Sequence, residues 1–244
     1  MSARLLAFDT ATETMAIAVQ SGTTVLSFEG PGGTLASARL IPEIHALLAR
    51  AGLVFGQLQA IAFGAGPGAF TGLRTACSVA QGLAFGAGLP VLPLDSLLLV
   101  AEAARDAATL PQGADGHVEV HVAMDARMGE VYAAEYRWTG ARWHCLSAPA
   151  LYTLAALNER WRARPPHIVA GSASVAFAGQ LQLGQAHVVS AELPRAAALM
   201  RLAQGLWRDA GSIAAQEALP VYLRDKVALT TAERLAAARA GAAA

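Results

Sequence analysis

The segment from Gly64 to Arg74 has the residue types that could bind an anion. Five of its eleven residues are Gly or Pro, and backbone N–H groups in such a loop between a strand and a helix can cradle a phosphate. The loop has no lysine, so it is not a nucleotide-binding loop of the GxxxxGK type. A turn that lets a helix pack closely on a strand is an equal alternative. The motif residues are Gly66, Pro67, Gly68, Phe70, Thr71 and Gly72.

A second candidate site lies near the N-terminus, where an acidic residue is followed by hydroxyl groups. Asp9 ends a predicted strand, and Thr10 and Thr12 come soon after it. A carboxylate with hydroxyl groups in one turn is suited to a magnesium ion and phosphate oxygens. These three residues form the candidate nucleotide cleft, although a capped hairpin turn uses the same residue types.

The remaining polar clusters form no catalytic constellation. Asp125, Arg127 and Glu130 lie in a second predicted hairpin, where they form either a similar site or an ion pair within that half of the chain. His117 and His121 are four residues apart on a predicted strand, a separation of about 13 Å that is too long for one metal ion. No GxSxG or HExxH motif occurs. We therefore expect neither catalytic residues nor a bound metal.

An alternating α/β framework is needed to position these residues. Three apolar or alternating segments, RLLAFD, MAIAVQ and TVLSFE, predict an opening strand meander. Apolar residues at helical spacing predict helices over 37–50 and 71–85, and Asp95 caps a third helix that ends near residue 105. The segments AIAF and VLPL are strands between these helices. A strand at HIVAG and helices near 174–180 and 194–209 follow.

The pattern of the first half partly repeats in the second. HVEVHVAMD, a turn and EVYAAEYRW resemble the opening hairpin, including the aspartate that ends the first strand. A hairpin of this kind that occurs twice in an α/β chain indicates a duplicated fold. The boundary falls in 110–116, which contains one proline and two glycines. The predicted domains are residues 1–110 and 111–226, followed by a frayed, alanine-rich tail over 227–244.

Composition and charge limit the class of protein. The 244 residues are 55% hydrophobic and 15% charged, which excludes a disordered chain. Eighteen basic and 18 acidic residues leave no net charge, whereas a stand-alone nucleic-acid binder usually has a basic excess. The uncharged stretch 75–94 contains three glycines and two prolines, which argue against a membrane span. With two cysteines and no signal-peptide pattern, the expected location is the cytoplasm, without membrane contact.

Four motifs, AFDTAT, GAGPGAFTGLR, MDARMGEVYAAEY and LPVYLRDKVA, resemble those of the TsaB (YeaZ) family in the same order, over residues 5 to about 227. The resemblance implies an actin-like ATPase (ASKHA) fold of two related lobes, each with a mixed sheet flanked by helices. It also implies a non-catalytic subunit that binds TsaD directly. With TsaE, that complex transfers a threonylcarbamoyl group to the tRNA adenosine beside the anticodon, so tRNA is contacted indirectly.

The departures from the related motifs qualify these expectations. Pro93 and Leu97 stand at the places of the metal-binding His-x-x-x-His of TsaD, and neither can bind a metal. Ala36 and Ala38 replace the His and Glu of the family's usual HSERLLP. No cofactor is expected, apart from weak binding of ATP or ADP at the partner interface. An active ATPase or phosphotransferase that uses Asp9 is the alternative, followed by a glycoprotease-like peptidase.

The predicted helix over 71–85 has no charged residue after Arg74. It therefore lacks a polar face for solvent, and we expect other helices or strands to pack on more than one of its sides. One side packs on the sheet, and the other has small residues that another helix can approach closely. We predict that this side and the helix over 37–50 pair with a second copy of the chain and, in competition, with TsaD. Complete cover by the helix over 37–50 is the alternative. The predicted interface residues are Leu40, Ile44, Leu47, Arg74, Thr75, Ser78, Val79 and Gly82.

Overall fold

The computed structural model describes residues 3–107, 110–111, 116–189 and 193–224. Within them, no helix is long and apolar enough to cross a membrane. The first half of the chain contributes the strands Arg4–Asp9 (β1), Thr14–Ser21 (β2), Thr24–Pro31 (β3), Ala60–Gly66 (β4) and Val91–Asp95 (β5). Its helices are Ala36–Arg50 (α1), Phe70–Ala87 (α2) and Ser96–Ala107 (α3).

These five strands form one mixed sheet in the order β3-β2-β1-β4-β5. The meander β1 to β3 is antiparallel, whereas β4 and β5 run parallel to β1. Leu6 and Phe8 of β1 pack in the core on one side of the sheet, and Leu5 and Ala7 pack in the core on the other side. Because both faces of the sheet are covered, its central strand is a continuous apolar run.

The second half of the chain forms a second mixed sheet, in the order β10-β9-β6-β7-β8. Its strands are Val118–Asp125 (β6), Glu130–Trp138 (β7), Trp143–Thr153 (β8), Ile168–Ala170 (β9) and His187–Val189 (β10). The helices of this half are Leu154–Ala163 (α4), Ala173–Ala176 (α5) and Ala196–Arg208 (α6).

The two sheets have the same plan. In each sheet, the central strand begins an antiparallel meander of three consecutive strands on one side, and two strands that run parallel to it lie on the other side. The duplication that the paired hairpins indicate is therefore confirmed. The α/β architecture agrees with the expected actin-like fold of two related lobes.

The predicted boundary of the second lobe needs a correction, because the chain returns to the first lobe before it ends. Helix α6 packs on β1 and β2, and its Leu199 and Met200 belong to the core on one side of the first sheet. Further along, Ala215 and Ala218 join the core on the opposite side of that sheet. The predicted domain 111–226 therefore includes a segment, from α6 to Ala218, whose apolar side chains are buried by the first lobe. The predicted tail lies outside the described residues.

Some elements of the second half differ from the sequence predictions. Strand β8, helix α4 and strand β10 were not predicted. Thr153 caps α4, since its hydroxyl accepts the Ala156 N–H at 3.2 Å, and a threonine before an apolar helical pattern is a recognisable start signal. The helix predicted over 174–180 is only the short α5, because the chain turns after it and Gly179 has a positive φ of 76°.

Helix α6 begins against a carboxylate from the sheet. Glu29 of β3 accepts the backbone N–H groups of Arg195 and Ala196 on Oε1, at 2.6 and 2.7 Å. The first N–H groups of a helix have no partner within it, and the helix dipole favours negative charge at that end. Glu29 therefore caps α6 from a strand that is 166 residues away in sequence.

His121 of β6 is buried beside a carboxylate that is already bound by arginines. Its Nδ1 lies 3.7 Å from Glu135 Oε1 and has no hydrogen-bond partner among the residues that the structure describes. Arg160 lies in α4, and its Nη2 donates to Glu135 Oε1 at 2.8 Å. Arg164 follows α4, and its Nη1 donates to Glu135 Oε2 at 3.2 Å. Burial holds the pKa of His121 below its usual range, and the nearby Glu135 only partly opposes this effect. The folded protein therefore favours the neutral imidazole.

Acidification should destabilise the protein through His121. Above the ordinary histidine pKa of about 6.5 the imidazole is neutral in both states, but below it the unfolded chain gains a proton that the folded chain resists. This group should lower the free energy of unfolding by up to about 1.4 kcal/mol per pH unit until its folded-state pKa is reached. Urea denaturation at two pH values, near 7.5 and near 5.5, measures the effect.

The variant His121→Gln should lose less stability between the two pH values than the wild type. His144→Gln, which removes an exposed histidine of β8, is the matched control and should lose as much as the wild type. If His121→Gln and the wild type lost the same free energy on acidification, His121 would not be the group responsible.

Candidate functional site

The carboxylate of Asp9 is completely buried, and its partners come from three parts of the chain. Ser96 Oγ, at the start of α3, donates to Asp9 Oδ2 at 2.8 Å. The Ala11 N–H and Arg195 Nη1 both approach Oδ1, at 3.2 and 3.3 Å. The negative charge that could have bound a magnesium ion, one of the two interpretations of this hairpin, is thus balanced by a guanidinium.

Arg195 is the residue of this site that sequence analysis missed. It is only 4% exposed, and its Nη2 donates to Thr12 Oγ1 and to the Thr14 carbonyl oxygen, both at 2.6 Å. It comes immediately before α6, 186 residues after Asp9. No local pattern in the sequence indicates this partner, because only the return of the chain to the first lobe brings the two together.

The candidate nucleotide cleft does not fit a magnesium nucleotide of the kind that the actin-like fold implies. Asp9 is ion-paired to Arg195, and the Thr12 hydroxyl accepts a hydrogen bond from the same guanidinium. The Thr10 hydroxyl is buried and donates to the Gly72 carbonyl oxygen at 2.7 Å. All three predicted residues lie in one hairpin, as expected, but each is engaged with another part of the protein.

The glycines around the loop allow close packing against this hairpin. A Cβ atom on Gly64 would collide with the carboxylate of Asp9, and one on Gly72 would collide with the carbonyl oxygen of Thr10. Gly66 has a φ of 113°, which other residues rarely adopt. The predicted strand, loop and helix are confirmed, with α2 beginning at Phe70. The positions of Gly64 and Gly72 favour the packing interpretation of the glycines over the anion site.

An ion pair connects the second hairpin, β6–β7, to the first hairpin, β1–β2. Arg127 Nη2 lies 3.0 Å from Glu13 Oε1, which places an ion pair between the two lobes. Arg127 Nη1 also lies 3.4 Å from Asp125 Oδ2. An ion pair within the second half of the chain, one of the two interpretations of this cluster, is therefore present as well. Glu130 instead pairs with Arg224 at 2.6 Å. The Asp125 cluster is therefore a set of ion pairs.

The segment Val221–Arg224 connects the glycine loop to the second hairpin. The Val221 N–H donates to the Ala65 carbonyl oxygen at 2.7 Å, and the ring of Tyr222 lies 5.2 Å from that of Phe70. Arg224 Nη2 donates to the Ala126 carbonyl oxygen at 3.0 Å. Described residues from each of the four motifs that suggested the family thus line one cleft of ≈ 710 Å³ between the lobes.

The predicted interface divides into residues on the surface and residues in the core. Leu40, Ile44 and Leu47 are at most 1% exposed, so their assignment to an interface is wrong. An amphipathic helix presents one apolar stripe, and α1 packs that stripe in the core of the first lobe.

The remaining predicted interface residues lie on α2. Arg74, Ser78 and Gly82 are exposed, whereas Thr75 and Val79 are half-buried. Phe85, which sequence analysis did not include, is 78% exposed at the end of the same helix. We call this surface of α2 the α2 face, defined by Arg74, Thr75, Ser78, Val79, Gly82 and Phe85.

Pro93 and Leu97, which the resemblance places at the positions of metal-binding histidines, are part of the packed framework of the structure. Leu97 is 1% exposed in the core between α3 and the second sheet, and Pro93 lies in β5. Among the described residues, no group of three or more His, Cys, Asp or Glu side chains is arranged to hold a metal ion.

A methyl group should be tolerated very differently at two helical glycines. Gly72→Ala should reduce the free energy of unfolding by about 1–3 kcal/mol, because the methyl group would collide with the Thr10 backbone. Gly205→Ala on α6 is the matched control, since among the described residues no atom outside its chain neighbours and its own helix backbone lies within 4 Å of the place of its Cβ. It should stabilise the protein by about 0.5–1 kcal/mol, because alanine favours a helix interior. Urea denaturation measures both, and equal effects would contradict the close approach at Gly72.

The sequence and the fold match those of known proteins. A family model described as "TsaD: tRNA N6-adenosine threonylcarbamoyltransferase" matches residues 35–174, more than half of the chain. The "tRNA threonylcarbamoyladenosine biosynthesis protein TsaB" of Escherichia coli is 33% identical over 92% of this chain and 96% of its own length. The protein of the same description from Haemophilus influenzae is 33% identical over 91% of this chain and 94% of its own length.

A solved structure agrees with these relatives. "YeaZ from Pseudomonas aeruginosa" has a TM-score of 0.78 and 33% identity, and the match covers 91% of this chain and 100% of that one. The similarity therefore extends over nearly the whole chain in both sequence and fold. The protein belongs to the TsaB (YeaZ) family.

Proposed function

We propose that this protein is a non-catalytic subunit in the synthesis of N6-threonylcarbamoyladenosine in tRNA, which binds TsaD directly and supports it together with TsaE. Membership of the TsaB family supports the role in this biosynthesis. The observation that carries the non-catalytic part is the ion pair of Asp9 with Arg195. The carboxylate that an actin-like ATPase would offer to a magnesium ion is buried and neutralised, and the glycine loop has no lysine.

The α2 face supports the binding part of the proposal. Between Arg74 and the end of α2 the sequence has no charged residue, and Ser78 and Gly82 leave room for the close approach of another helix. The exposed ring of Phe85 adds apolar area beside them. Uncharged exposed surface of this kind is typical of an interface. We propose that it pairs with a second copy in the isolated protein and with TsaD in the working complex.

The other partners follow from this arrangement. The formal net charge of zero supports contact with tRNA through the complex, because a direct binder usually has a basic excess. The proposed role requires no cofactor of the protein's own and belongs in the cytoplasm, where tRNA is modified.

An arginine on the α2 face should separate binding from folding. Gly82→Arg places a long charged side chain in the proposed contact, where it would be desolvated without a partner. We expect the folded variant to elute as a monomer in gel filtration and to bind TsaD at least about tenfold more weakly in a pull-down.

Gly205→Arg is the matched control for this experiment. Gly205 is also a helical glycine with open space at its Cβ, but it lies on α6, on the other side of the first sheet from α2. The variant Gly205→Arg should leave dimerisation and TsaD binding unchanged. A folded Gly82→Arg protein that still dimerised and captured TsaD as the wild type does would place the interface elsewhere.

The isolated protein should hydrolyse ATP only at the background rate. Asp9 is ion-paired with Arg195, so its carboxylate is not free to hold a magnesium ion, and the glycine loop has no lysine to bind a phosphate. Phosphate release from a preparation of the wild type, compared with Asp9→Ala, measures this. Turnover that Asp9→Ala abolished would replace the proposed function with the active ATPase.

A further inference from the structure

The guanidinium of Arg195 lies in a pocket of oxygen atoms. Asp9 Oδ1 is 3.3 Å from Nη1, while Thr12 Oγ1 and the Thr14 carbonyl oxygen are each 2.6 Å from Nη2. The side chain of Arg195 is 5% exposed and that of Asp9 is fully buried. The three oxygen atoms therefore surround one buried positive charge.

These oxygen atoms are also the ligand types of a hard divalent cation. A carboxylate, a hydroxyl and a backbone carbonyl can each bind Mg²⁺ or Mn²⁺, which usually keep several water molecules as their remaining ligands. All three atoms face the two terminal nitrogens of one guanidinium, so a single cation in its place would be within reach of them. Thr12, Thr14 and Arg195 border the cleft between the lobes, which provides a path for an ion.

We propose that Arg195 is an internal substitute for a bound divalent cation, and that the β1–β2 hairpin becomes a cation site when the guanidinium is removed. A buried carboxylate needs a compensating charge or a proton. In the wild type that charge belongs to the chain itself and is attached to the start of α6. The position of the hairpin relative to α6 is therefore independent of metal and nucleotide concentration, which suits a subunit that works by binding.

Removal of the guanidinium tests this proposal by thermal unfolding with Mn²⁺. Arg195→Met retains an apolar stem but leaves Asp9 without its partner, so the variant should have a lower Tm than the wild type. Millimolar Mn²⁺ should raise the Tm of Arg195→Met by at least about 3 °C and should leave that of the wild type within about 1 °C. The double variant Arg195→Met with Asp9→Asn should lose this response, because a neutral amide no longer requires a cation.

Arg201, an arginine within α6, provides the matched control. Arg201 also donates to a buried carboxylate, that of Glu102, at 2.6 Å, but Arg105 binds the same carboxylate at 2.7 Å. Glu102 therefore keeps a guanidinium in Arg201→Met, which should show no response to Mn²⁺. A folded Arg195→Met protein without an Mn²⁺ response, or a wild type that responds equally, would overturn the proposal.

Chemical rescue covers the case in which Arg195→Met does not fold. Arg195→Gly, refolded with millimolar guanidinium chloride, far below denaturing concentrations, should regain circular dichroism that it lacks in sodium chloride. Rescue by guanidinium or by Mn²⁺ would support the internal-cation role, and recovery with neither would refute it. Arg195→Lys should fold without either addition, because the ammonium group keeps the charge. The readout is folding, so the result is independent of whether the protein binds TsaD.

Discussion

The buried ion pair between Asp9 and Arg195 is the constraint on which the first lobe depends. Asp9 ends the central strand of the sheet, and its carboxylate also accepts a hydrogen bond from Ser96 at the start of α3. A buried carboxylate that lost its partner would cost about 3–5 kcal/mol, a large share of the stability of a typical domain. The chain must therefore return from the second lobe and begin α6 beside Asp9. Glu29 fixes the same point by capping that helix.

The close packing around this pair also explains the glycine loop without a phosphate. Gly64 leaves room for the Asp9 carboxylate, and Gly72 lets the first turn of α2 lie against the Thr10 backbone. A glycine-rich turn after a strand has two physical uses, anion binding and close approach, and composition alone does not separate them. The hydrogen bond from the Thr10 hydroxyl to the Gly72 carbonyl oxygen decides for close approach at this position.

Local patterns predicted what depends on neighbours in sequence, and they failed where distant segments meet. Both hairpins and the helices α1 to α3 follow from apolar spacing and from the cap at Asp95, whose Oδ1 accepts the Leu97 N–H at 2.8 Å. The role of Arg195 could not be predicted, because its partner lies 186 residues away. The interface assignment of Leu40 failed for a related reason: an apolar helical stripe looks the same whether it faces a core or a partner.

The contacts that connect the two lobes differ greatly in strength. The Arg127–Glu13 pair joins the two hairpins, but its side chains are 72% and 77% exposed, and such surface pairs contribute about 0–1 kcal/mol. Arg224 is only 13% exposed, pairs with Glu130 and also donates to backbone carbonyls. The segment Val221–Arg224 therefore makes the stronger connection between the lobes. Its Val221 N–H also donates a hydrogen bond to the carbonyl oxygen of Ala65 in β4. The two hairpins can therefore separate only if the contacts of Arg224 break, and these contacts contribute more to the resistance against separation than the exposed Arg127–Glu13 pair does.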